Sequence, residues 1–527
     1  MKMNKLLILL LVFTVLSCEK ESKKKPVTPV PVARPKIVVE GKSVVIDSAL
    51  LNSYDSKVLK EFYLATGFKS VWQSNKERRI ILEQLLKSDE EGLNPANYNV
   101  IKLQKFEKKY ANLNDENRAN YDVLFTRSLQ KYISHLTSGR FNPSYLYKNW
   151  DLKKNSIDVN QTIALLLKTD SLAFKMEELK PNHIVYKSLK KALQIINSFP
   201  NDDFTTIEIA NKIVLNDTNP SLIAIKKRLI YWKDMKPKDS LSAIYDSETN
   251  EAMKKFQIRH GLSADGVIGK GTVDALNFSK RKRKEQILAN LERWKWFPRE
   301  MGEEYVIVNI PDYKLSLVKE NDTLRTHKVV VGRDKRPTPV LSSKINQIIL
   351  NPTWTVPPTI LKEDMIPAIS RNRNYLAQTN IKVYDSSGNL VSANDWNPSK
   401  AKKYRYVQSP GKSNSLGMVK INFPNRFSVY LHDTNHRDFF VKQKRSLSSG
   451  CVRVENPLKL AETLLNDADN WNTEKITKIL QSEKTKYIKM NDDVKVHILY
   501  WTAWSEGNTL IFRDDIYNLD ADLYQML

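Results

Sequence analysis

The sequence predicts a multidomain α+β protein, with a helical N-terminal region and a small helical unit preceding a β-rich domain that carries an insertion. Three observations lead there. The chain has 527 residues, and at about 150 residues per domain that means three or four units. Glycine is scarce, 15 of 527, against a usual share of about 7%, which favours helix. From residue 303 onward the apolar period changes from helical to alternating. Hydrophobic residues at 41% and charged residues at 27% supply real cores and exclude a disordered or collagen-like chain.

Residues 41–215 are rich in Leu, Ile and Lys and mostly helical in period. The best-placed helix there begins with Ser74-Asn75-Lys76-Glu77, which has capping-box form. It runs through Ile81, Leu82, Leu85 and Leu86 on one face and stops by Gly92. His135 and His183 stand alone without ligand spacing and read as ordinary surface or core residues. In residues 220–278, Asp246 can cap a helix carrying Ala252, Met253 and Phe256, which His260-Gly261 closes. Asp265-Gly266 makes a turn, and a short helix spans Thr272 to Leu276. The series Phe256-Gln257, His260-Gly261-Leu262, Asp265-Gly266, Ile268-Gly269, Thr272 and Ala275-Leu276-Asn277 resembles the three-helix peptidoglycan-binding domain. That resemblance implies a shallow groove suited to a glycan and peptide polymer.

A basic helix ending in Trp294 and Trp296 comes next, expected to pack against the following domain. Strand character appears in EYVIVNI, KLSLVK, HKVVVG and QIILNPTWTV. Residues 358–410, with a helix-like LKEDMIPAI, break the pattern and read as an insertion and a lid over the site. MVKINF and FSVYLHD resume it, LKLAETLLN is helical, and VKVHILYWTAW and TLIFRD close the chain. The expected units are therefore 41–215, 220–278 and 300–475, with 476–527 a C-terminal segment packing on the β-rich domain.

Lys and Arg total 84 against 59 Asp and Glu, a net charge of +25, which favours anionic surroundings. At the start, Lys2 and Lys5 flank the apolar residues 6–16, far short of the about 20 needed to span a bilayer and suited to a secretory leader. Val15-Leu16-Ser17-Cys18 resembles a bacterial lipobox, which implies a signal peptide over 1–18 and a lipid-modified Cys18. Residues 19–40, rich in Lys, Pro and Val, read as an extended tether. The expected location is that of an exported lipoprotein on the periplasmic face of a bacterial membrane, the outer membrane favoured. Export excludes nucleic acid as a partner. With Cys18 lipidated, Cys451 is the one remaining thiol and no intramolecular disulfide can form. A lone exported thiol is either buried and inert or needed for chemistry.

The densest chemical signal spans residues 429–457, VYLHDTNHRDFFVKQKRSLSSGCVRVENP. His432 follows an apolar strand, and Cys451 lies in Ser448-Ser449-Gly450-Cys451-Val452-Arg453. A Cys nucleophile needs a proton acceptor, and pairing with an imidazolium could lower a thiol from about 8.5 by about two units. Gly450 lets backbone approach a substrate carbonyl, so that the Cys451 N–H and its neighbour face a developing oxyanion. Arg453 suits a substrate carboxylate. A backbone or carboxylate acceptor near Asp433 would orient the His432 ring. His436 is the competing base, in a more polar loop. A metal centre needs three or four convergent ligands, so neither metal nor cofactor is expected.

His432-Asp433-Thr434 together with Ser448-Ser449-Gly450-Cys451-Val452-Arg453 resembles the catalytic motif of the L,D-transpeptidases. Ser449 stands where many members carry His, as in the large members that bear a helical scaffold domain. Pro410-Gly411-Lys412-Ser413-Asn414-Ser415-Leu416-Gly417 and Asn351-Pro352-Thr353-Trp354 are similar to those large members too. The resemblance implies a β-rich catalytic domain and acyl transfer on peptidoglycan stem peptides, with Cys451 as nucleophile and His432 as base. Gly450, Ser449, Arg453 and Asp433 would then serve the oxyanion or the substrate. Water as acceptor would make the chain an L,D-carboxypeptidase, and a protein Lys amine would make it a protein-to-wall ligase. A purely structural catalytic domain would leave a lipid-tethered wall-binding protein. Oligomeric state is left open.

Overall fold

The computed structural model describes residue 37 and residues 42–527; the leader, Cys18 and most of the tether lie outside the described residues. The first core is helical and gathers side chains between Ile37 and Met176. Helices Lys57–Ala65, Asn75–Leu86 and Asp115–Ser138 bury Leu59, Phe62, Ile81, Leu85, Leu129 and Ile133 there. Helix Asn75–Leu86 starts at its expected cap, with the Glu77 N–H donating to Ser74 Oγ at 3.3 Å. A single 3-10 turn, Lys87–Glu91, then carries the chain to Gly92. One carboxylate organises the centre: buried Asp122 accepts the Val71 and Trp72 N–H groups, each at 2.9 Å, and the Tyr63 hydroxyl at 2.7 Å.

The second core runs without a break from Trp150 through the middle unit into the main sheet. In the middle unit, Asp246 caps helix Ser247–Arg259 by accepting the Thr249 N–H at 2.8 Å. Arg259 grips Asp234 bidentately at 2.7 and 2.5 Å. The buried His260 ring lies between Phe256 and Phe512, which joins this unit to the C-terminal hairpin. Helix Lys280–Trp294 is a central strut. Trp294 stacks on His183 at 4.7 Å and packs edge-on to Trp501. Trp296 instead meets Trp150 and Tyr147, so the two indoles clamp the helix between N-terminal and C-terminal parts of the chain.

The main sheet has 12 strands. Along it run Trp150–Asp151, Val340–Lys344, Lys495–Leu499, Glu304–Asn309, Lys314–Lys319, Asp322–Gly332, Val452–Val454, Leu431–His432, Val419–Asn422, Gln347–Leu350 and Lys486–Lys489, with Ser446–Ser448 pairing Asp322–Gly332 off this path. Two placements differ from the sequence reading. The C-terminal residues do not merely pack on the sheet: Lys495–Leu499 lies inside it, parallel to Glu304–Asn309 and antiparallel to Val340–Lys344. Its VHIL stretch is buried throughout, as an interior strand requires. Trp150–Asp151, from the N-terminal half, adds a strand at the edge.

The insertion folds around its own core of Ile369, Val383, Trp396 and Tyr406, with a four-stranded sheet over residues 354–408. Arg336 pins it to the parent domain. Its guanidinium meets Glu363 at 2.5 Å and Asp364 at 2.6 Å, and donates to Ser449 Oγ at 3.1 Å.

The strut can be tested at Trp296, which is 1% exposed and fits so closely over Gly139 that a Cβ there would lie 2.2 Å from its indole nitrogen. Trp296→Ala is expected to cost about 3–5 kcal/mol, read as a lower urea midpoint. An unchanged midpoint would show that the indole carries no such weight.

Candidate active site

Strand pairing builds the site. Leu431–His432 runs parallel to Val452–Val454, with Leu431 opposite Val452 and His432 opposite Arg453. The Val452 N–H donates to the Tyr430 carbonyl at 3.2 Å. Side chains alternate along a strand, and paired residues leave a sheet on the same side. Leu431 and Val452, both 0% exposed, take the core side. Tyr430, His432, Cys451 and Arg453 therefore share the opposite face. Antiparallel Val419–Asn422 adds Lys420, which pairs with His432.

Of the groups on this face, Cys451, His432 and Arg453 are expected from sequence, and Tyr430 and Lys420 are not. Tyr430 had a signal, since it lies two positions before His432 and alternation puts both on one side. Lys420 had only the alternation within VKIN, without a register to connect it to His432. The Tyr430 and His432 rings meet edge-on at 5.5 Å, and Lys420 Nζ sits 4.0 Å from the centre of the Tyr430 ring.

The loop before Cys451 is clamped from inside. Gly450 has φ +116°, a region that L side chains rarely adopt. Thr338 Oγ1 donates to the Gly450 carbonyl at 2.9 Å, the Gly450 N–H donates to Ser448 Oγ at 3.1 Å, and Ser448 Oγ donates to the Cys451 carbonyl at 2.6 Å. Either amide that could be the expected neighbour of the Cys451 N–H is thus consumed, Gly450 by the loop and Val452 by the ladder. The Cys451 N–H remains, with no intramolecular acceptor among the described residues.

Two other expected site residues do different work. Asp433 points away from His432: its buried carboxylate accepts the Met418 N–H at 2.9 Å and pairs with Arg437 at 3.2 Å. It holds the loop before Val419 and is not free for substrate. Exposed Ser449 receives the Arg336 guanidinium and so serves the docking of the insertion. Arg453 stays on the reacting face, its Nη1 reaching Thr434 Oγ1 at 3.4 Å while its buried Nε has no partner among the described residues.

Burial decides the electrostatics. His432 is 5% exposed, and burial followed by the Arg453 charge holds its imidazole down to about 3. The imidazole is neutral at physiological pH, and a hydrogen bond with the Asp433 backbone opposes the downward shift. Cys451 is half-buried. Burial pushes its thiol above the ordinary range, opposed by the Tyr430 backbone, Lys420, the Tyr430 side chain and Arg453. An imidazolium–thiolate pair is therefore not the resting state, because burial disfavours both charges. A neutral thiol shares the face with a neutral imidazole. His436 is exposed, stacked on Phe439 at 5.2 Å and off this face.

A raised thiol ionises only as pH climbs, so Cys451 alkylation by iodoacetamide is expected to accelerate to about pH 9 and beyond. Following the Cys451 peptide by mass spectrometry checks this, and a plateau below about pH 8 would reveal an ion pair instead.

Family models match three stretches: a scaffold domain over residues 57–193, a "Putative peptidoglycan binding domain" over 218–276 and an L,D-transpeptidase catalytic domain over 303–495. A curated Haemophilus influenzae protein named "Putative L,D-transpeptidase" is 37% identical over 221 residues, 41% of this chain and 45% of that protein. The match thus spans about half the length of the relative. Among solved structures, L,D-transpeptidases of Xylanimonas cellulosilytica and Stackebrandtia nassauensis align at 14% identity each. They cover 55% and 56% of this chain and 99% and 97% of theirs, at TM-scores of 0.18 and 0.21. The site described above lies wholly within the third matched stretch. Residues 303–495 thus match the model of an L,D-transpeptidase catalytic domain, behind stretches that match a scaffold domain and a peptidoglycan-binding domain.

Proposed function

We propose that this protein is a peptidoglycan L,D-transpeptidase that joins the third residues of two stem peptides through a thioester on Cys451. The observation that carries this reading is the shared sheet face of Cys451 and the neutral base His432, set within a domain of that family. Cys451 Sγ attacks the carbonyl carbon of the L-centre of the donor's third residue. As the S–C bond forms, the thiol proton passes to His432 and the Cys451 N–H donates to the oxyanion. The C–N bond to the terminal D-amino acid then breaks, and His432 returns the proton to the leaving amine. In the second half, an amine from another stem attacks the thioester. Its proton moves through His432 to the departing sulfur, and the thiol is restored.

A base that is neutral at rest suits both halves, since it must be empty before each attack. Arg453 offers its guanidinium to a substrate carboxylate. The middle unit shares a core with the catalytic sheet, so wall polymer bound there is held at a constant distance from Cys451. The insertion, pinned beside Ser449, excludes water while the amine docks. On this reading Cys18 bears a lipid on the periplasmic face of a bacterial membrane, the tether sets the height of the enzyme, and the +25 charge favours carboxylate-rich stems.

The test is incubation of the full chain with disaccharide-tetrapeptide and mass spectrometry of the products. Cross-linked dimer is expected. Trimmed disaccharide-tripeptide alone would assign a carboxypeptidase, and unchanged substrate a binding protein. Cys451→Ala should abolish product, and retained turnover would overturn the nucleophile. His432→Ala is expected to lose about 100-fold or more in rate, whereas His436→Ala should keep most activity. A carbapenem should add its mass to the Cys451 peptide.

A further inference from the structure

We propose that Lys420 is a positioning residue of this site, its ammonium seated on the Tyr430 ring to steady the negative charge that the Cys451 sulfur acquires. The proposal rests on Cys451 being the nucleophile. Register puts Lys420 on the reacting face, directly opposite His432. Its Nζ lies 4.0 Å from the Tyr430 ring centre, a cation over the negative face of a π system. It makes no ion pair or hydrogen bond among the described residues, although it is half-buried.

Other enclosed ammonium groups in this chain are handled differently. Lys226 reaches the Ile244 carbonyl at 2.7 Å and Asp246 at 3.1 Å. Lys295 reaches the Glu91 carbonyl at 3.0 Å and Glu292 at 3.5 Å. Lys180 and Lys190 both pair with Glu91. An enclosed cation without an anion is costly, and an anion that appears only during reaction would offset the cost. The sulfur is the anion this face can generate.

The charged and titratable groups around Cys451 agree in sign. Lys420 comes from one strand, Tyr430 and neutral His432 from the next, and Arg453 from the strand of Cys451 itself. Arg336, on the far side of Ser449, is already neutralised by Glu363 and Asp364. Among the described residues, none of the groups brought to this face by the strands is a carboxylate; Asp438, in the turn Arg437–Val441, acts on Arg453 without an ion pair. Lys420 and Arg453 both favour an ionised sulfur, and the ionised sulfur in turn favours the charged forms of both. Among the described residues Arg453 has Thr434 and the Phe439 ring for company, and the Lys420 ammonium has the Tyr430 ring.

The experiment reads the thiol itself, so its failure is separable from failure of the transfer reading, which the Cys451→Ala product analysis detects. Full-length protein is alkylated with uncharged iodoacetamide across a pH series, and modification of the Cys451 peptide is timed by mass spectrometry. Lys420→Met should move the midpoint upward. A rise of about one unit leaves about tenfold less thiolate, of which the stronger nucleophile returns about threefold, for a net slowing of about threefold at neutral pH. Lys420→Arg should restore most of the rate, and Lys420→Gln should behave like Lys420→Met if loss of charge, not loss of packing, is the cause. An unchanged profile in both neutral variants would overturn the proposal. So would an unchanged profile with only a raised KM for disaccharide-tetrapeptide, which would assign Lys420 to a substrate carboxylate.

Discussion

The parallel pairing of Leu431–His432 with Val452–Val454 is the constraint on which the site depends. Neither strand is long, and neither would be stable alone. Their neighbours, Asp322–Gly332 on one side and Val419–Asn422 on the other, hold them in register. Because the side-chain period is two, a slip of one residue in either strand would turn its reacting groups into the core and bring Leu431 or Val452 out. The apolar residues in between therefore shape the candidate site indirectly. Burying Leu431 and Val452 fixes the direction in which His432 and Cys451 face.

Charge is handled in two ways in this molecule. Away from the site, buried charges are matched: Asp122 holds backbone donors, Arg293 pairs with Asp520, and Glu91 draws in Lys180 and Lys190. Removing one member of such a set leaves its partner stranded, which is why these groups lock the strut and the helical core in place. At the site Lys420 and Arg453 make no ion pair among the described residues, and the His432 imidazole and Cys451 thiol are both held neutral by burial. A site of this kind is electrostatically incomplete until substrate arrives. It resists forming a thiolate at rest, which limits oxidation of the thiol, and on the proposed function it favours negative charge once attack begins.

Much of this was legible in the sequence because it is local. Ser74 and Asp246 announced their helices through short-range capping, and the alternating apolar runs after residue 303 announced strands. The Gly450-Cys451 loop and the strand-end His432 marked the sheet face that carries the candidate site. What escaped depends on contacts distant in sequence. Nothing local says that Trp150–Asp151 will edge a sheet with Val340–Leu341, or that Lys495–Leu499 will lie inside that sheet. The same holds at the site. Asp433 looked free in the motif, yet Met418 and Arg437 occupy it. The Gly450 amide looked available, yet Ser448 takes it, and Lys420 became visible only through its register with His432.

The most direct measurement is the mass of the Cys451 peptide during turnover. Full-length protein mixed with disaccharide-tetrapeptide and quenched in acid should yield that peptide carrying the disaccharide-tripeptide acyl group, removable by hydroxylamine as a thioester requires. Product accumulating while the Cys451 peptide stays unmodified, or an acyl group on any other residue, would contradict the chemistry assigned to this face.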